Sequence, residues 1–224
     1  ESGNRIRNGL FLAVQTTMET IVYSVLTSEG EGNDALREAF ANGTMDATQL
    51  NKELIHFIYR LLFLFIIEDR GLVYQIPDSP DAPDNKQLCQ WQDIYKKFYA
   101  ASRLRHLSEL AYLKQRQYSA LWQGLMVTFH LFEPDTFGEK LGIKPLGGVL
   151  FGTETLHWLK QCQVSNKDLL AAFSALNEFE DERQQKVKIN YSSLDVEEFG
   201  SVYEGILEMR PFVQPGVAAS DWQF

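Results

Sequence analysis

The four histidines are the first candidates for chemistry, because imidazole is a common metal ligand. They are His56, His106, His130 and His157. None of them has a second His or Cys three or four residues away, the spacing that places two ligands on one helix face. His130 and Glu133 lie three apart, but a diiron helix bundle needs carboxylates from several helices and the reverse residue order. The sequence therefore favours structural or exposed histidines and predicts no metal site.

The glycine-rich segment 141–155 (LGIKPLGGVLFGTET) is a second candidate, because its backbone amides could bind a phosphate at the start of a following helix. It lacks the Gly-Lys-Ser/Thr ending of a phosphate-binding loop and the glycine spacing of a dinucleotide-binding motif. The segment instead predicts a tight turn with Gly147 and Gly148 at positive φ and with Leu150 and Phe151 in the core. No Ser, Cys or Thr lies in a recognisable nucleophile elbow, so the sequence predicts no catalytic residue.

The two cysteines, Cys89 and Cys162, lie too far apart in the sequence for a zinc knuckle or a CxxC redox pair. Two reduced, packed thiols are therefore expected, and this usage fits a cytoplasmic compartment best.

Arg60 lies inside the most apolar stretch of the chain, LIHFIYRLLFLFII, where a guanidinium needs a carboxylate or several carbonyls to offset its desolvation. Glu68 is about two helical turns away, so a direct bond along one helix is not expected. We predict a structural ion pair with a residue of another helix, such as Glu204 or Glu198. A role in signalling between domains is the alternative.

Three basic residues, Arg183, Lys186 and Lys188, follow the acidic run EFEDE and could contact a DNA phosphate. Mixed charge runs of this kind are usually solvated surface. The net charge of −9 and the sequence pI of about 5.0 are not typical of a free-standing module held to DNA by its charge. Direct DNA contact by this cluster is therefore the weaker of the two interpretations.

The elements that must position these residues are mostly helices, because apolar residues recur at helical spacing along most of the 224 residues. The predicted fold is mainly α, an irregular multi-helix bundle with at most a short β-hairpin in the glycine-rich connection 134–152 (PDTFGEKLGIKPLGGVLFG) or a short strand at VKINY. The predicted helices cover 5–27, 34–41, a segment from Thr44 or Asp46 to Gly71, 91–113, 119–132, 153–161, a segment opened by Ser165 and Asp168, and a last one opened by Ser192 with Asp195, or by Ser193.

The apolar stretch Leu54 to Ile67 is only about 14 residues long, whereas a membrane span needs about 20. It also contains Arg60, so it predicts a buried helix at the centre of the fold and no membrane contact. The start of the chain has polar residues within its apolar run and is not typical of a signal peptide. Residues 75–87, rich in proline, predict an exposed loop.

Several strings, in order along the chain, resemble the helical connector of large adenine-specific DNA methyltransferases. This family includes type IIG restriction-modification enzymes and the methyltransferases of BREX and DISARM phage-defence systems. The resemblance covers about residues 50 to 211. Its strings are ELIHFIYRLLFLFIIEDRGLV, YSALWQGLMVTFHLF, PLGGVLFG, VSNKDLLAAFSAL and INYSSLDVEEFGSVYEGILEMRP.

The resemblance implies an N-terminal helical segment (1–48), a helical connector domain (49–211) and a linker toward a methyltransferase domain (212–224). It implies that the parent protein binds S-adenosylmethionine, and that the partners of this chain are the methyltransferase and target-recognition domains, with DNA reached through the parent. The structural or interdomain residues that it implies are Arg60, Glu68, Arg70, Tyr203 and Glu204.

The sequence departs from the family's catalytic pattern, because it has no Asn/Asp-Pro-Pro-Tyr tetrapeptide and no Phe-x-Gly-x-Gly cofactor loop. The chemistry on a flipped adenine is therefore not expected from this segment, which needs no cofactor of its own. Whether the parent also cleaves DNA stays open. The expected function is that of a non-catalytic helical scaffold, and the alternative is a free-standing helical module for protein–protein interaction.

Overall fold

A computed structural model of the protein describes residues 2–74, 85–110, 118–180 and 185–209, without the side chains of residues 2–6 and Asn85. Within these ranges the chain is mainly α, as predicted, with a single two-stranded hairpin. The helices are α1 Ser2–Thr27, α2 Glu31–Ala41, α3 Ala47–Asp69, α4 Asn85–Ile94, α5 Ala101–Ser108, α6 Ala120–His130, α7 Asn166–Asn177 and α8 Val196–Glu208. The strands are β1 Glu178–Glu180 and β2 Lys186–Lys188.

Helix α3 lies at the centre of the fold, as its apolar sequence predicts. Asp46 begins it, since its carboxylate accepts the N–H of Gln49 while the Gln49 side chain accepts the N–H of Asp46. Gly71, with φ of 67°, follows its end in the left-handed conformation that glycine adopts most readily. Thirteen of its 23 residues are buried on several faces. A helix with so much apolar surface is stable only when other elements enclose it.

Helix α1 forms a layer with the later part of the chain, packing chiefly against α7 and also against α8 and β1. Gly9 of α1 permits this approach, because a Cβ at that position would come within 2.4 Å of the Phe179 ring. Strand β1 follows α7 directly and pairs antiparallel with β2, with Phe179 opposite Val187. The predicted strand at VKINY overlaps β2 only at Val187 and Lys188. Strand β1 is not predicted, since the acidic run EFEDE is not typical of a strand.

The prediction of one continuous helix over 91–113 is wrong, because the chain is interrupted at Ala100. The chain forms α4, then a π-helical turn at Tyr95–Tyr99, then a break at Ala100 with ψ of 132°, and then α5. The break persists because a side chain of α3 accepts the first N–H groups of α5, which a continuous helix would have used internally. Residues 111–113, and 75–84 of the predicted loop, lie outside the described residues, while residues 85–87 belong to α4.

The predicted helix over 153–161 is a series of turns. Both oxygens of the Glu53 carboxylate accept the N–H of Trp158, and one also accepts that of Leu159. These donors are therefore held by α3 instead of by the carbonyls one turn earlier. A regular helix consequently does not develop in this segment.

Smaller predictions in the connections are corrected as well. In the described ranges the hairpin lies at 178–188, not in the glycine-rich connection, which contains a 3₁₀ turn at Gly138–Leu141. Gly148 has positive φ but Gly147 does not. Phe151 is buried, whereas Leu150 is only partly buried.

The starts of three helices differ in detail from the predicted ones. Helix α2 begins three residues early, at Glu31. Helix α8 is capped by Asp195, not by Ser192 or Ser193. Ser165 caps α7 through the N–H of Asp168, as predicted, but its own N–H donates to Ser24.

One helix in the described part of the chain, Arg7–Thr27 within α1, is long and apolar enough to cross a bilayer by length and composition alone. In this fold 61% of that window is buried inside the protein, as in the core helix of a soluble protein. The stretch Leu54 to Ile67, predicted as a buried helix, is part of α3, and most of its residues are buried.

Two glycines within helices give a matched test of this packing. A Cβ on Gly32 of α2 would lie 1.8 Å from the Gln161 carbonyl oxygen, whereas a Cβ on Gly200 of α8 meets nothing within 4 Å. We expect Gly32→Ala to lower the unfolding free energy by about 2 kcal/mol through overpacking. Gly200→Ala should raise it by about 0.5–1 kcal/mol, because alanine favours the helix. Urea denaturation followed by circular dichroism measures both, and equal effects would contradict the close contact of α2 with residue 161.

Candidate functional site

The polar side chains of α3 contact the backbone of segments far away in the sequence. Glu53 and Glu68 accept N–H groups, whereas Arg60 donates to carbonyls, as does Arg70, the residue that follows α3. Each such bond replaces one that the segment would otherwise form within its own secondary structure or with water. Helix α3 therefore fixes the ends of its neighbours as well as filling the core between them.

Arg60 is fully buried and forms the densest of these contacts. Its Nη1 lies 2.8 Å from Oε1 of Glu133, its Nε donates to the Leu150 carbonyl at 2.8 Å, and its Nη2 donates to the Gly152 carbonyl at 2.7 Å and to Thr155 Oγ1 at 2.6 Å. The predicted partners Glu204 and Glu198 are wrong, although the predicted ion pair within the protein is present.

The surroundings of Arg60 explain how a buried cation is tolerated. Its guanidinium lies 5.5 Å from the centre of the Phe129 ring and 5.0 Å from that of Phe151, within the range of cation–π attraction. Burial lowers the pKa of Arg60, while Glu133 opposes that shift by stabilising the charged form. Glu133 also contacts Lys160, so one carboxylate joins two cations. The cluster connects α3 to residues 133–160.

Glu68, near the C-terminal end of α3, accepts hydrogen bonds from the start of α5. Its Oε1 accepts the Tyr95 hydroxyl at 2.6 Å and the Ala101 N–H at 2.8 Å, and its Oε2 accepts the Ser102 N–H at 2.7 Å. The carboxylate thus replaces the side-chain cap that Ala100 cannot supply to α5. Burial raises the pKa of Glu68, and the hydrogen bonds offset this only in part.

Helix α8 is held by α3 and by Arg70, the residue after it, at three points: before its start, in its middle and at its end. Arg70 donates to the carbonyls of Ser192 and Leu194 just before α8, the Tyr59 hydroxyl donates to the Tyr203 carbonyl at 2.9 Å, and the Asn51 amide donates to the Met209 carbonyl at 3.1 Å. The Tyr59 and Tyr203 rings are 4.4 Å apart between centres. Helix α8 is consequently held in one position on the core.

The outer face of α8 remains exposed and apolar. Val196, Tyr203 and Leu207 are 85%, 42% and 50% exposed. Their spacing of seven and four residues places them on one face of the helix. Glu204, the residue expected with Tyr203 to act between domains, is exposed and has no ion-pair partner in the described ranges.

A groove of about 540 Å³ lies beside this face. Its walls come from the end of α3, from the connection around Pro145 and from the start of α8. Most of the lining is apolar, and Arg70, Lys144 and Asp195 supply the charged groups. The apolar side chains are Phe63, Ile66, Ile67, Leu72, Val73, Phe132, Pro145, Leu146, Leu194, Val196 and Phe199.

The two described lysines of the predicted basic cluster are both in ion pairs with glutamates of this chain. Lys186 pairs with Glu178 at 2.5 Å, and Lys188 pairs with Glu109 at 3.0 Å. Arg183 lies outside the described residues. The two described lysines thus use part of their charge within the protein, which weakens the case for a DNA-phosphate contact at β2.

The histidines and cysteines occupy unremarkable surroundings. His130 lies 2.5 Å from an Asp135 oxygen and stacks on the Phe137 ring, while its neighbour Glu133 serves Arg60. In the described ranges no group of three or more His, Cys, Asp or Glu residues is placed to hold a metal ion. Cys162 is buried, as expected, and burial raises the pKa of its thiol to about 12. Cys89 is exposed, so the expectation of a packed thiol is wrong there.

Glu53, Glu133 and Asn51 form structural contacts between distant segments that the sequence did not indicate. Each lies at the edge of an apolar helical run, where polar residues are common and carry no special spacing. For Glu133 alone the sequence contains a usable signal, since a cation inside an apolar run, such as Arg60, requires a carboxylate partner. Comparison with protein-family models, curated proteins and solved structures gave no match.

Proposed function

We propose that this chain is a non-catalytic helical scaffold of an S-adenosylmethionine-dependent, adenine-specific DNA methyltransferase of the restriction-modification or phage-defence type. In this proposal the parent is a cytoplasmic enzyme that holds the cofactor in its methyltransferase domain and reaches DNA through its target-recognition domain. The present chain fixes the geometry between those parts.

The single observation that carries the scaffold proposal is the attachment of α8. Asn51 and Tyr59 of α3, together with Arg70 just after it, hold the two ends and the middle of α8, while the outer face of α8 stays apolar and exposed. Exposed apolar residues that form a contiguous patch often mark an interaction site on a protein surface. The family assignment is supported by the order of the resembling strings and by the structural roles of three of their residues, Arg60, Glu68 and Arg70.

A free-standing helical module for protein–protein interaction is the second candidate, favoured by the acidic surface and by the groove beside α8. Both functions use the same face of α8. The coding sequence after Phe224 distinguishes them, because the methyltransferase proposal expects a Phe-x-Gly-x-Gly loop and an Asn/Asp-Pro-Pro-Tyr tetrapeptide there. A stop codon close after Phe224 would overturn it.

The proposal predicts an effect of Leu207→Asp on DNA methylation by the parent. A carboxylate at this half-exposed position should oppose an apolar contact across domains and reduce the methylation rate about tenfold or more, since burial of one unpaired charge costs several kcal/mol. Val149→Asp is the matched control, because Val149 is 75% exposed and lies outside α8 and the groove lining.

Incorporation of labelled methyl groups into DNA measures the rates. Thermal unfolding of the isolated chain checks that both variants fold equally well. Unchanged methylation by the Leu207→Asp parent would contradict the scaffold role of α8, and so would methyl transfer or micromolar S-adenosylmethionine binding by the isolated chain.

A further inference from the structure

The groove and the outer face of α8 form one continuous apolar surface. Val196 and Phe199, in the first turn of α8, line the groove. Tyr203 and Leu207 continue the same helix face by one and two further turns. Helix α8 has 13 residues and is therefore about 20 Å long. A surface of this shape matches the apolar face of another helix of three to four turns.

The charges beside this surface differ between its two edges. On one edge Glu197, Glu204 and Glu208 repeat the spacing of the apolar stripe, displaced by one residue, and all three are exposed. Phe199 lies on the other side of Val196, toward the groove, so the acidic edge faces away from the groove.

The opposite edge is basic. Lys144 is exposed and has no ion-pair partner among the residues that the structure describes. Arg70 donates only to carbonyls, which leave its positive charge uncompensated. Asp195, whose carboxylate accepts the N–H of Glu198 as a helix cap, is the one acidic side chain of the groove lining. Two cations against one carboxylate leave the groove side with a positive balance in a protein of net charge −9.

We propose that this surface binds an amphipathic helix of a protein partner, with Lys or Arg along the flank that faces α8 and Asp or Glu along the flank that faces Lys144. The proposal rests on the proposed function only in taking α8 as a contact face. Electrostatic complementarity of this kind sets the orientation of a docked helix, because the wrong orientation brings like charges together on both edges. A phosphate-rich partner is disfavoured, since the glutamate edge would repel it.

The test uses synthetic helical peptides with one identical leucine stripe. The mixed peptide has lysines on one flank and glutamates on the other, and the basic peptide has lysines on both. Fluorescence anisotropy with the full chain measures Kd. We expect the mixed peptide to bind about two- to five-fold more tightly than the basic one, as a rim charge pair contributes modestly. Lys144→Glu should reverse this order.

The apolar part is tested with Val196→Asp, which should weaken binding of the mixed peptide about tenfold or more, because it places a charge in the contact. Val149→Asp is again the control of equal residue type and comparable exposure, and it should leave Kd unchanged. Unfolding of both variants should match the unsubstituted chain, since both side chains are largely exposed.

Three outcomes would overturn the proposal. One is equal affinity for the two peptides in both the unsubstituted and the Lys144→Glu chains. Another is dimerisation of the chain that Val196→Asp abolishes, which would make a second copy the occupant. The third is tighter peptide binding after removal of residues 210–224, which would make that segment the occupant. Peptide binding involves no methyltransferase, so its failure leaves the scaffold proposal to its own tests.

Discussion

Arg60→Ala is expected to lower the unfolding free energy by about 3–5 kcal/mol, the range found when one partner of a buried ion pair is removed. The substitution removes the guanidinium donor to the carbonyls of Leu150 and Gly152, which leaves Thr155 as their remaining donor, and it leaves the buried Glu133 carboxylate with Lys160 alone. For a chain of this size the loss corresponds to a decrease in Tm of roughly 10 °C. Urea denaturation and differential scanning calorimetry measure the two quantities.

Two further variants show whether charge or geometry is responsible. Arg60→Lys keeps the charge but lacks the planar fork that reaches Glu133 and two carbonyls, so we expect it to remain destabilised by about 2 kcal/mol. Lys186→Ala removes an exposed ion pair with Glu178 and should change stability little. If Arg60→Ala were as mild as Lys186→Ala, the buried cluster would not stabilise the fold.

Glu68→Ala is expected to lower the unfolding free energy by about 3 kcal/mol. It removes the acceptor for the N–H groups of Ala101 and Ser102 and for the Tyr95 hydroxyl, and each polar group left unpaired inside costs about 1–3 kcal/mol. Glu208→Ala is the control, since that glutamate is exposed and should change stability by no more than about 0.5 kcal/mol. Equal effects of the two would contradict the capping of α5 by Glu68.

The pH dependence of a Glu68→Gln variant tests the raised pKa of this carboxyl. Because the pKa in the folded state lies above the ordinary value of 4.5, the contribution of Glu68 to stability is fully present below that pH. It decreases as the pH rises through the folded-state pKa. The stability advantage of the unsubstituted chain over Glu68→Gln should therefore be largest near pH 4 and smaller at about pH 7. Glu53, whose pKa is also raised, is present in both proteins and cancels.

The sequence predicts the main helices well because their signals are local. The cap at Asp46, the stop at Gly71 and the cap at Ser165 depend on residues within one turn, and all three are present. The break at Ala100 and the turns around Trp158 have no local signal. They are imposed by Glu68 and Glu53, carboxylates 33 and 105 residues away in the sequence, and periodicity contains no information about such contacts.

The candidate site is predictable only in part for the same reason. The need of Arg60 for a partner follows from its apolar neighbours, but its choice of Glu133 over Glu198 depends on how α6 and the connection after it pack. Tyr203 is recognisable from its place in the resembling string. The groove, in contrast, is formed by three segments that only the fold brings together.

The attachment of α8 to α3 has a consequence for how the chain acquires its structure during synthesis. The bonds from Tyr59 to Tyr203 and from Asn51 to Met209 join residues 144 and 158 positions apart. Such distant pairings slow folding, because the long intervening chain must be closed into a loop first. Until the ribosome has made residue 133, Arg60 lacks its partner Glu133, and until it has made α8, the side of α3 that packs against α8 lacks its cover. The side of α3 that α8 covers therefore stays exposed until nearly the last residues of α8 are made, and exposed apolar surface of this kind favours aggregation.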